Sequence, residues 1–288
     1  MESTKPTIQL IECPRDAMQG WPHFIPTDVK ADYLNQLLAV GFDTLDFGSF
    51  VSPKAIPQMA DTKAVITKLN LHRSATKLLA IVANQRGAEE AVAYDEISYI
   101  GFPFSVSPTF QQKNTNSSIT ESFDRVKSIQ ELCFRSGKTL VVYLSMGFGN
   151  PYGDPYNEEI LLHWAEEMIK QQIGIISLAD TVGLASAEQI RMALTTLIPR
   201  YPSVRFGVHL HSTALNWEAK LEAAYDSGCR RFDGALKGIG GCPMAQDDLV
   251  GNMDTEKMIP YFRTKGLLTA LDENALAASS KLAAKIFQ

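Results

Sequence analysis

The amino-acid sequence predicts an α/β fold, a (β/α)₈ TIM barrel, and three observations support it. Eight short β-rich runs alternate with longer helix-like runs along the 288 residues. This alternation indicates parallel strands joined by helices, and eight units in one series favour a closed barrel over an open, doubly wound sheet. No break in composition marks a second domain. We therefore expect residues 1–288 to form a single barrel domain with a helical C-terminal extension.

Eight segments have the short, apolar and β-branched character of buried strands. They cover residues 8–12, 44–47, 77–82, 97–101, 139–145, 174–178, 204–209 and 231–233. Several begin just after a glycine that fits the end of a helix, at Gly41, Gly137, Gly174 and Gly228.

Amphipathic segments separate these strands. The helix over 28–40 is predicted to begin after Thr27 as its N-cap. The helix over 119–136 has Ser118 and Glu121 at the spacing of a capping box. Further helices are predicted over 157–171, 186–198 and 216–227. The tail over 255–288 is rich in helix-forming residues and is expected to pack on the barrel as additional helices.

Composition and charge exclude several classes of partner. The formal net charge is −5 and no long basic run occurs, so we expect no nucleic-acid partner. No apolar stretch approaches the roughly 20 residues that span a bilayer, and the N-terminal residues lack a signal pattern. We therefore expect a cytoplasmic protein without a membrane partner.

The four cysteines do not form a recognisable zinc or redox motif. We interpret Cys13, Cys133 and Cys229 as small buried apolar residues. Cys242 differs because it follows the glycine-rich stretch 238–241. It is either an incidental residue of a flexible turn or a thiol that acts as a general acid or base when a loop closes.

Polar residues cluster where the predicted strands end, which is where the sites of such barrels lie. They are Arg15 and Asp16 after strand one, Asp46 at strand two, Tyr143 in strand five, Asp180 after strand six, His209 and His211 at strand seven, and Cys242 after strand eight. Agreement among six strand ends is stronger than any single motif.

A divalent-metal site is predicted from three of these residues together with Asn252. His209 and His211 are two positions apart, so they share one face of a strand. With the carboxylate of Asp16 and the side-chain oxygen of Asn252, they form a set that suits Mg²⁺ or Mn²⁺ and fits Zn²⁺ less well, because no thiolate is needed. Alternatively, one histidine caps a turn, Asp16 is a turn residue, and Asn252 belongs to a loop or helix start.

The remaining candidates have two interpretations each. Arg15 either forms a surface salt bridge or stabilises an enolate or carboxylate near the metal, with Gln19 orienting the same oxygen. Asp180 either caps the next helix or accepts a hydrogen bond from a ligating histidine. Asp46 remains ambiguous from the residues alone.

Several longer motifs carry a family resemblance. They are PRDAMQ (14–19), SFVSPKAIPQM (49–59), KNTNSSITESF (113–123), SLADTVG (177–183), VHLHST (208–213), GIGGCP (238–243) and GN (251–252). From about residue 8 to 255 the chain resembles the 3-hydroxy-3-methylglutaryl-CoA lyase family, within the metal-dependent barrel superfamily that includes isopropylmalate and homocitrate synthases. The second and sixth motifs are characteristic of the lyase branch.

The resemblance implies a reaction and roles for residues. The expected reaction is the retro-Claisen cleavage of 3-hydroxy-3-methylglutaryl-CoA to acetyl-CoA and acetoacetate, a reaction used in leucine degradation, by a homodimer that binds an acyl-CoA. The implied metal ligands are Asp16, His209, His211 and Asn252. The implied catalytic residues are Arg15, Asp46, Asp180, His209 and Cys242, where His209 receives a proton with the help of Asp46 or Asp180. The implied substrate-binding residues are Arg15, Gln19, Ser49, Tyr143 and Ser177.

The sequence departs from the family pattern at several points. Asp46 stands where the family has glutamate, and Ser212 follows the HxH motif where aspartate is usual. Ala17 and Met18 replace Gly-Leu, strand five lacks an arginine shortly before Tyr143, and the 242–252 stretch is one residue longer than expected. Because of these departures, a different β-hydroxyacyl-CoA is retained as an alternative substrate.

Two further interpretations remain. An acetyl-CoA-condensing synthase of the same superfamily is disfavoured by the short chain and the GxGGCP loop. A non-catalytic metal-binding barrel is disfavoured because Arg15, His209 and Cys242 are all present.

Overall fold

A closed barrel of eight parallel strands forms the centre of the computed structural model, which describes residues 7–241, 250–268 and 270–288. Each strand pairs with its neighbours in chain order, and the eighth pairs with the first. The strands are β1 Gln9–Glu12, β2 Thr44–Ser49, β3 Lys77–Ile81, β4 Ile97–Ser105, β5 Thr139–Ser145, β6 Ile175–Asp180, β7 Arg205–Leu210 and β8 Arg231–Gly234. The predicted (β/α)₈ fold is confirmed.

Helices surround this barrel. The α-helices are α1 Pro14–Gln19, α2 Thr27–Val40, α3 Thr62–Ile66, α4 Gln85–Val92, α5 Pro108–Thr115, α6 Ile119–Arg135, α7 Glu158–Lys170, α8 Ala187–Arg200, α9 Trp217–Asp226, α10 Thr255–Thr264 and α11 Glu273–Ile286. Within the described ranges, no helix is both long and apolar enough to cross a membrane.

The helix ends confirm some predicted caps and correct others. Ser118 and Glu121 form the predicted capping box of α6. Thr27, however, is the first residue of α2 rather than its N-cap, because its hydroxyl donates to Asp61 (2.7 Å) instead of accepting from the helix. After α7 the residue with left-handed backbone is Gln172 (φ 62°), so Gly174 does not end this helix as predicted.

The two C-terminal helices have different positions. Helix α10 follows β8 and therefore completes the eighth βα unit, whereas α11 is the additional helix. Helix α11 packs on α2, and the ring of Phe287 beyond it contacts Tyr33 (6.2 Å between centroids) and Trp21 (5.3 Å). In the part of the chain that the structure describes, the helix-rich tail over 255–288 thus forms α10 and α11, of which α11 extends beyond the eight βα units.

The barrel interior is divided by polarity. An apolar cluster fills the side formed by β3 to β6, as the buried positions Leu79, Ile81, Val141 and Ile175 show. The opposite side carries buried charges on β2 and β8, while the large hydrophobic core lies between the sheet and the helices. Charges are costly to bury without partners, so this polar half marks the side on which a site is expected.

Candidate active site

A cavity of about 470 Å³ opens at the carboxyl ends of the strands. Its polar lining includes Arg15, Asp16, His209 and His211, and its apolar lining includes the Trp21 side chain. The volume suits a small organic ligand, and a cavity with a few convergent polar groups is the usual form of such a site. The location agrees with the position predicted from the strand ends.

The two histidines present the same ring nitrogen to this cavity. The Nε2 atoms of His209 and His211 are 3.4 Å apart. The Nδ1 atom of His211 lies 2.9 Å from the carbonyl oxygen of Val250, and that of His209 lies 3.3 Å from a carboxylate oxygen of Asp233. An acceptor at each Nδ1 assigns the proton to that nitrogen, which leaves a lone pair on each of the two neighbouring Nε2 atoms.

Asp16 and Asn252 complete the cluster. The ligand-capable atoms of Asp16, His209 and His211 lie within 4.8 Å of one another. The Nδ2 atom of Asn252 donates to Asp16 (2.7 Å) and to the carbonyl of Ile239 (2.9 Å), while its buried Oδ1 atom has no hydrogen-bond partner in the described structure. Convergent lone pairs and an unpaired buried oxygen fit a divalent cation held by nitrogen and oxygen ligands.

The chain segment over 251–254 brings Asn252 to the histidines. Gly251 accepts from the backbone of Ser212 (2.9 Å), and Met253 donates to Leu210 (2.9 Å). Met253 also accepts from Ala235 (3.0 Å), so the segment lies between the ends of β7 and β8. This pairing explains how a residue far along the chain joins the strand-end cluster.

Gly240 lies against the same cluster and requires glycine. Its φ is +104°, and a Cβ there would lie 2.6 Å from Asn252 Nδ2 and 3.0 Å from the Asp16 carbonyl oxygen. A side chain would therefore displace the residues proposed to hold a metal. Cys242, which follows this loop, lies outside the described residues.

Arg15 connects the cluster to Asp46. Helix α1 starts with Pro14 in its first turn, which places Arg15 and Asp16 at the end of β1. The guanidinium donates from Nε and Nη2 to Asp46 (3.1 and 2.5 Å), and from Nη1 to Asp16 (3.0 Å) and Gln19 (2.9 Å). Four such bonds fix the plane and position of the positive charge beside the cavity.

Burial and the neighbouring charges shift the pKa values of the ionisable side chains in this site. Burial opposes ionisation of Asp16, but Arg15 and the two histidines outweigh it and lower its pKa to about 2. Burial raises the pKa of Asp46 even though it faces the guanidinium. Burial and the neighbouring His209 lower the pKa of His211 to about 4, so His211 is neutral and able to act as a ligand near pH 7.

The predicted substrate-binding residues separate into two groups. Arg15, Gln19 and Tyr143 line the cavity, and the Tyr143 ring lies 5.9 Å from that of His209. Burial raises the pKa of Tyr143, so its hydroxyl remains a donor. The cavity lining does not include Ser49, whose hydroxyl accepts from Val51 (3.1 Å), or the fully buried Ser177.

Asp180 does not fill the predicted position beside a histidine. Its carboxylate accepts from Lys220 Nζ (2.6 Å) and from the backbone of Ala185 (3.0 Å). Lys220 also donates to the carbonyl of His211 (2.8 Å), so Asp180 influences the site through the backbone. The hypothesis that Asp180 bonds a ligating histidine is therefore wrong for the described structure. The Asp46 carboxylate pairs with Arg15 instead of with a histidine.

Asp233 takes that position, and the sequence reasoning missed it. Asp233 lies near the end of β8 and accepts from His209, while Arg231 from the same strand donates to Asp233 (2.9 Å). A signal was present, because two charged residues alternate with Phe232 in a strand whose residues are all buried. Charges on one face of such a strand indicate a functional interior.

Comparisons with known proteins identify the family of this chain. The family model described as HMGL-like matches residues 8–283. A hydroxymethylglutaryl-CoA lyase from Bacillus subtilis is 32% identical and covers 93% of this chain and 89% of its own length. An (R)-citramalyl-CoA lyase from Chloroflexus aurantiacus is 33% identical, with 93% and 86% covered.

A solved structure gives the same result at the level of coordinates. An HMG-CoA lyase from Acinetobacter baumannii, in complex with coenzyme A and 3-methylmalate, superposes with a TM-score of 0.91 at 31% identity, covering 100% of this chain and 93% of that one. The fold, the cavity position and the sequence likeness point to one conclusion. The chain belongs to the HMGL-like family and is a lyase of the hydroxymethylglutaryl-CoA lyase type.

Proposed function

We propose that this lyase cleaves 3-hydroxy-3-methylglutaryl-CoA to acetyl-CoA and acetoacetate and requires Mg²⁺ or Mn²⁺. The observation that carries the proposal is the convergence of Asp16, His209 and His211 beside the fixed guanidinium of Arg15. A cation site next to an immobilised positive charge suits a reaction in which negative charge develops on two oxygens.

The proposed metal ligands are Asp16, His209, His211 and Asn252. When bound, a divalent cation supplies positive charge that stabilises an oxygen anion of the substrate. As the tertiary hydroxyl gives its proton to solvent water, the adjacent carbon–carbon bond breaks and its electrons form the enolate of acetyl-CoA. A proton from solvent later restores the thiol that protonates this enolate. The other fragment becomes the ketone acetoacetate.

The residues around Arg15 have separate roles in this proposal. Arg15 stabilises the enolate oxygen, and Asp46 and Gln19 hold the guanidinium in place. The Tyr143 hydroxyl donates to the substrate. Cys242 delivers a proton to the enolate carbon, which completes acetyl-CoA. Because Ser49 and Ser177 do not line the cavity, substrate binding by them is not part of the proposal.

His209 has one free lone pair, on Nε2, because Nδ1 faces Asp233. One lone pair cannot ligate a cation and accept the hydroxyl proton at the same moment. We assign the ligand role to His209, since its Nε2 atom lies 3.4 Å from that of His211. Asp180 acts as a positioning residue through Lys220 and the His211 carbonyl.

A second candidate substrate is citramalyl-CoA, because a relative named (R)-citramalyl-CoA lyase is 33% identical to this chain. That compound is one methylene shorter between the carboxylate and the tertiary alcohol, and its cleavage gives acetyl-CoA and pyruvate. The same cluster would serve both reactions. The part of the cavity that receives the substrate carboxylate would then determine which of the two thioesters binds.

A comparison of kcat/KM for the two thioesters tests the proposal. We expect acetyl-CoA release from 3-hydroxy-3-methylglutaryl-CoA to exceed that from citramalyl-CoA by about 10- to 200-fold, the usual discrimination for one methylene. The reverse order would establish the second candidate. No acetyl-CoA from either thioester, in the presence of Mg²⁺ or Mn²⁺, would overturn the proposal.

A further inference from the structure

We propose that Arg231 is a positioning residue that holds Asp233 against His209 and thereby aims the His209 imidazole at the metal cluster. This inference rests on the proposed function, because it assumes that His209 is a metal ligand. It concerns the residue behind Asp233, Arg231 of β8, to which the proposed reaction gives no role.

The hydrogen bonds form a continuous chain. Arg231 Nη1 donates to Asp233 Oδ1 (2.9 Å), and the other carboxylate oxygen, Oδ2, lies 3.3 Å from His209 Nδ1. The Arg231 and Asp233 side chains are 3% and 0% exposed, so solvent does not compete for these contacts. The carboxylate therefore connects a fixed cation on one side with the imidazole on the other.

The ladder between β7 and β8 sets this arrangement. Gly207 is the register partner of Arg231, and His209 is the register partner of Asp233. The pair Gly207 and Arg231 therefore lies two residues before the pair His209 and Asp233 along the two strands, and His209 belongs to the proposed metal-binding cluster. Backbone pairing of the two strands thus places the Asp233 side chain beside the His209 side chain, whatever rotamers they adopt.

Gly207 makes room for the arginine. A Cβ at Gly207 would lie 3.1 Å from Cγ, 3.2 Å from Cδ and 3.2 Å from Nη1 of Arg231. The arginine side chain therefore occupies space that glycine leaves free, and its position is restricted by the opposite strand. A restricted guanidinium holds its carboxylate partner more firmly than a solvent-exposed one does.

A different interpretation of the same residues is a second metal site. Ligand-capable atoms of Cys13, His209 and Asp233 also lie within 4.8 Å of one another. The cation of Arg231 already pairs with Asp233, and the Cys13 thiol donates to the carbonyl of Ile11 (3.8 Å). The local charge is thus compensated, which favours a hydrogen-bonded support for His209 over a site for another cation.

Titration of the purified full-length protein with Mn²⁺, followed by electron paramagnetic resonance, tests the inference without substrate. We expect Arg231→Met to raise the Kd for Mn²⁺ by about 10- to 100-fold, the usual effect of removing support behind a metal ligand. Gly207→Ala, which crowds Arg231 without removing it, should raise the Kd in the same direction. Arg231→Lys should retain part of the affinity, because it keeps a cation near Asp233.

Two further variants separate positioning from general structural damage. Arg230→Gln alters the neighbouring arginine, which donates to the carbonyls of Tyr225 and Cys229, and should leave the Kd unchanged. Asp233→Asn should weaken Mn²⁺ binding as Arg231→Met does, and the double variant should be no weaker than Asp233→Asn alone, because both act through one contact.

The outcomes are distinguishable. If the wild-type protein binds Mn²⁺ and folded Arg231→Met and Gly207→Ala proteins bind it equally well, the inference is wrong while the metal site stands. If the wild-type protein itself binds no Mn²⁺, the proposed function fails first. Should Arg231→Met not fold, Gly207→Ala and Arg231→Lys decide the matter by the same comparison, because both keep a cation at this position.

Discussion

Arg15 joins, through its hydrogen bonds, a residue proposed to hold a metal ion to the residues proposed to position its own positive charge. Its guanidinium bonds Asp46, Asp16 and Gln19 at once, and it is 8% exposed. Two buried carboxylates therefore depend on a single cation. Removing one partner of a buried ion pair typically costs about 3–5 kcal/mol, so substitutions here must be compared at matched folding.

Arg15→Lys is expected to lower kcat by about 10²–10³-fold, the usual loss for a positioned electrostatic group. Lysine keeps the charge but lacks the fork that reaches Asp46 and Gln19 together. Steady-state rates on folded protein measure this, with Arg86→Lys on the exposed side of α4 as the control. Turnover equal to that of the wild-type protein would exclude Arg15 from the reaction.

His209→Ala separates the two roles predicted for His209. If its Nε2 atom is a ligand, the variant should bind Mn²⁺ at least 10-fold more weakly and lose activity in parallel. Calorimetric titration with Mn²⁺ and turnover measurements on the same sample give both numbers. A variant that retains full Mn²⁺ affinity but loses turnover would instead identify His209 as the proton acceptor.

At the scale of elements, the site depends on a segment that is neither helix nor strand. Residues 251–254 lie between the ends of β7 and β8 and carry Asn252 to the histidines. Gly240 packs directly on Asn252 and on the backbone of α1. The proposed metal-binding cluster is therefore assembled by the joint packing of α1, the glycine loop and this segment.

Gly240→Ala should weaken Mn²⁺ binding by about 10-fold or more, because its Cβ would displace the Asn252 amide. Gly137→Ala is the matched control, since Gly137 also has a positive φ (+64°) but nothing lies within 4 Å of its Cβ position. Both variants should lose stability, and the control should keep its Mn²⁺ affinity. Equal affinity in the two variants would argue against the close approach.

A buried carboxylate joins β1 to α10. Glu12 accepts from the backbone of Leu236 (2.8 Å) and from the Thr255 hydroxyl (2.6 Å), and burial raises its pKa to about 8. The ordinary pKa of a glutamate carboxyl group is about 4.5, so the folded state holds the proton more tightly than the unfolded state does. Stability from this group is complete below pH 4.5 and is lost as pH rises toward 8.

Glu12→Gln should remove this pH dependence. The free energy of unfolding of the wild-type protein, minus that of the variant, should fall between pH 5 and pH 8, with a limiting slope of about 1.4 kcal/mol per pH unit. Urea denaturation at several pH values measures the difference. A difference that stays constant, or grows with pH, would show that Glu12 is ionised in the folded protein across this range.

For the whole molecule, the barrel and much of the site follow from simple rules. Alternating β and helical runs predict the eight strands. The rule that barrel sites lie at strand ends brings Asp16 of α1 near His209 of β7 and near His211, which directly follows that strand. The two-residue spacing of the histidines predicts their shared face. These predictions need only local periodicity and one topological rule.

The rest depends on packing that the pattern does not contain. Asp180 is the last residue of β6 and Asp233 is the last but one of β8. The Asp180 carboxylate pairs with Lys220 of α9, while the register of β7 and β8 places the Asp233 carboxylate beside His209. Likewise, the bonds of Asn252 to Asp16 join residues 236 positions apart. Which carboxylate reaches which partner is decided by such distant contacts, and sequence spacing does not encode them.

The most direct test of the account is metal-dependent release of acetoacetate from 3-hydroxy-3-methylglutaryl-CoA by the purified protein. The account predicts release with Mg²⁺ or Mn²⁺, loss after chelation, recovery when the metal returns, and loss in Asp16→Asn, which removes a proposed ligand charge. Release that persists after complete removal of divalent metal, or in Asp16→Asn, would contradict the central claim that this cluster holds a catalytic cation.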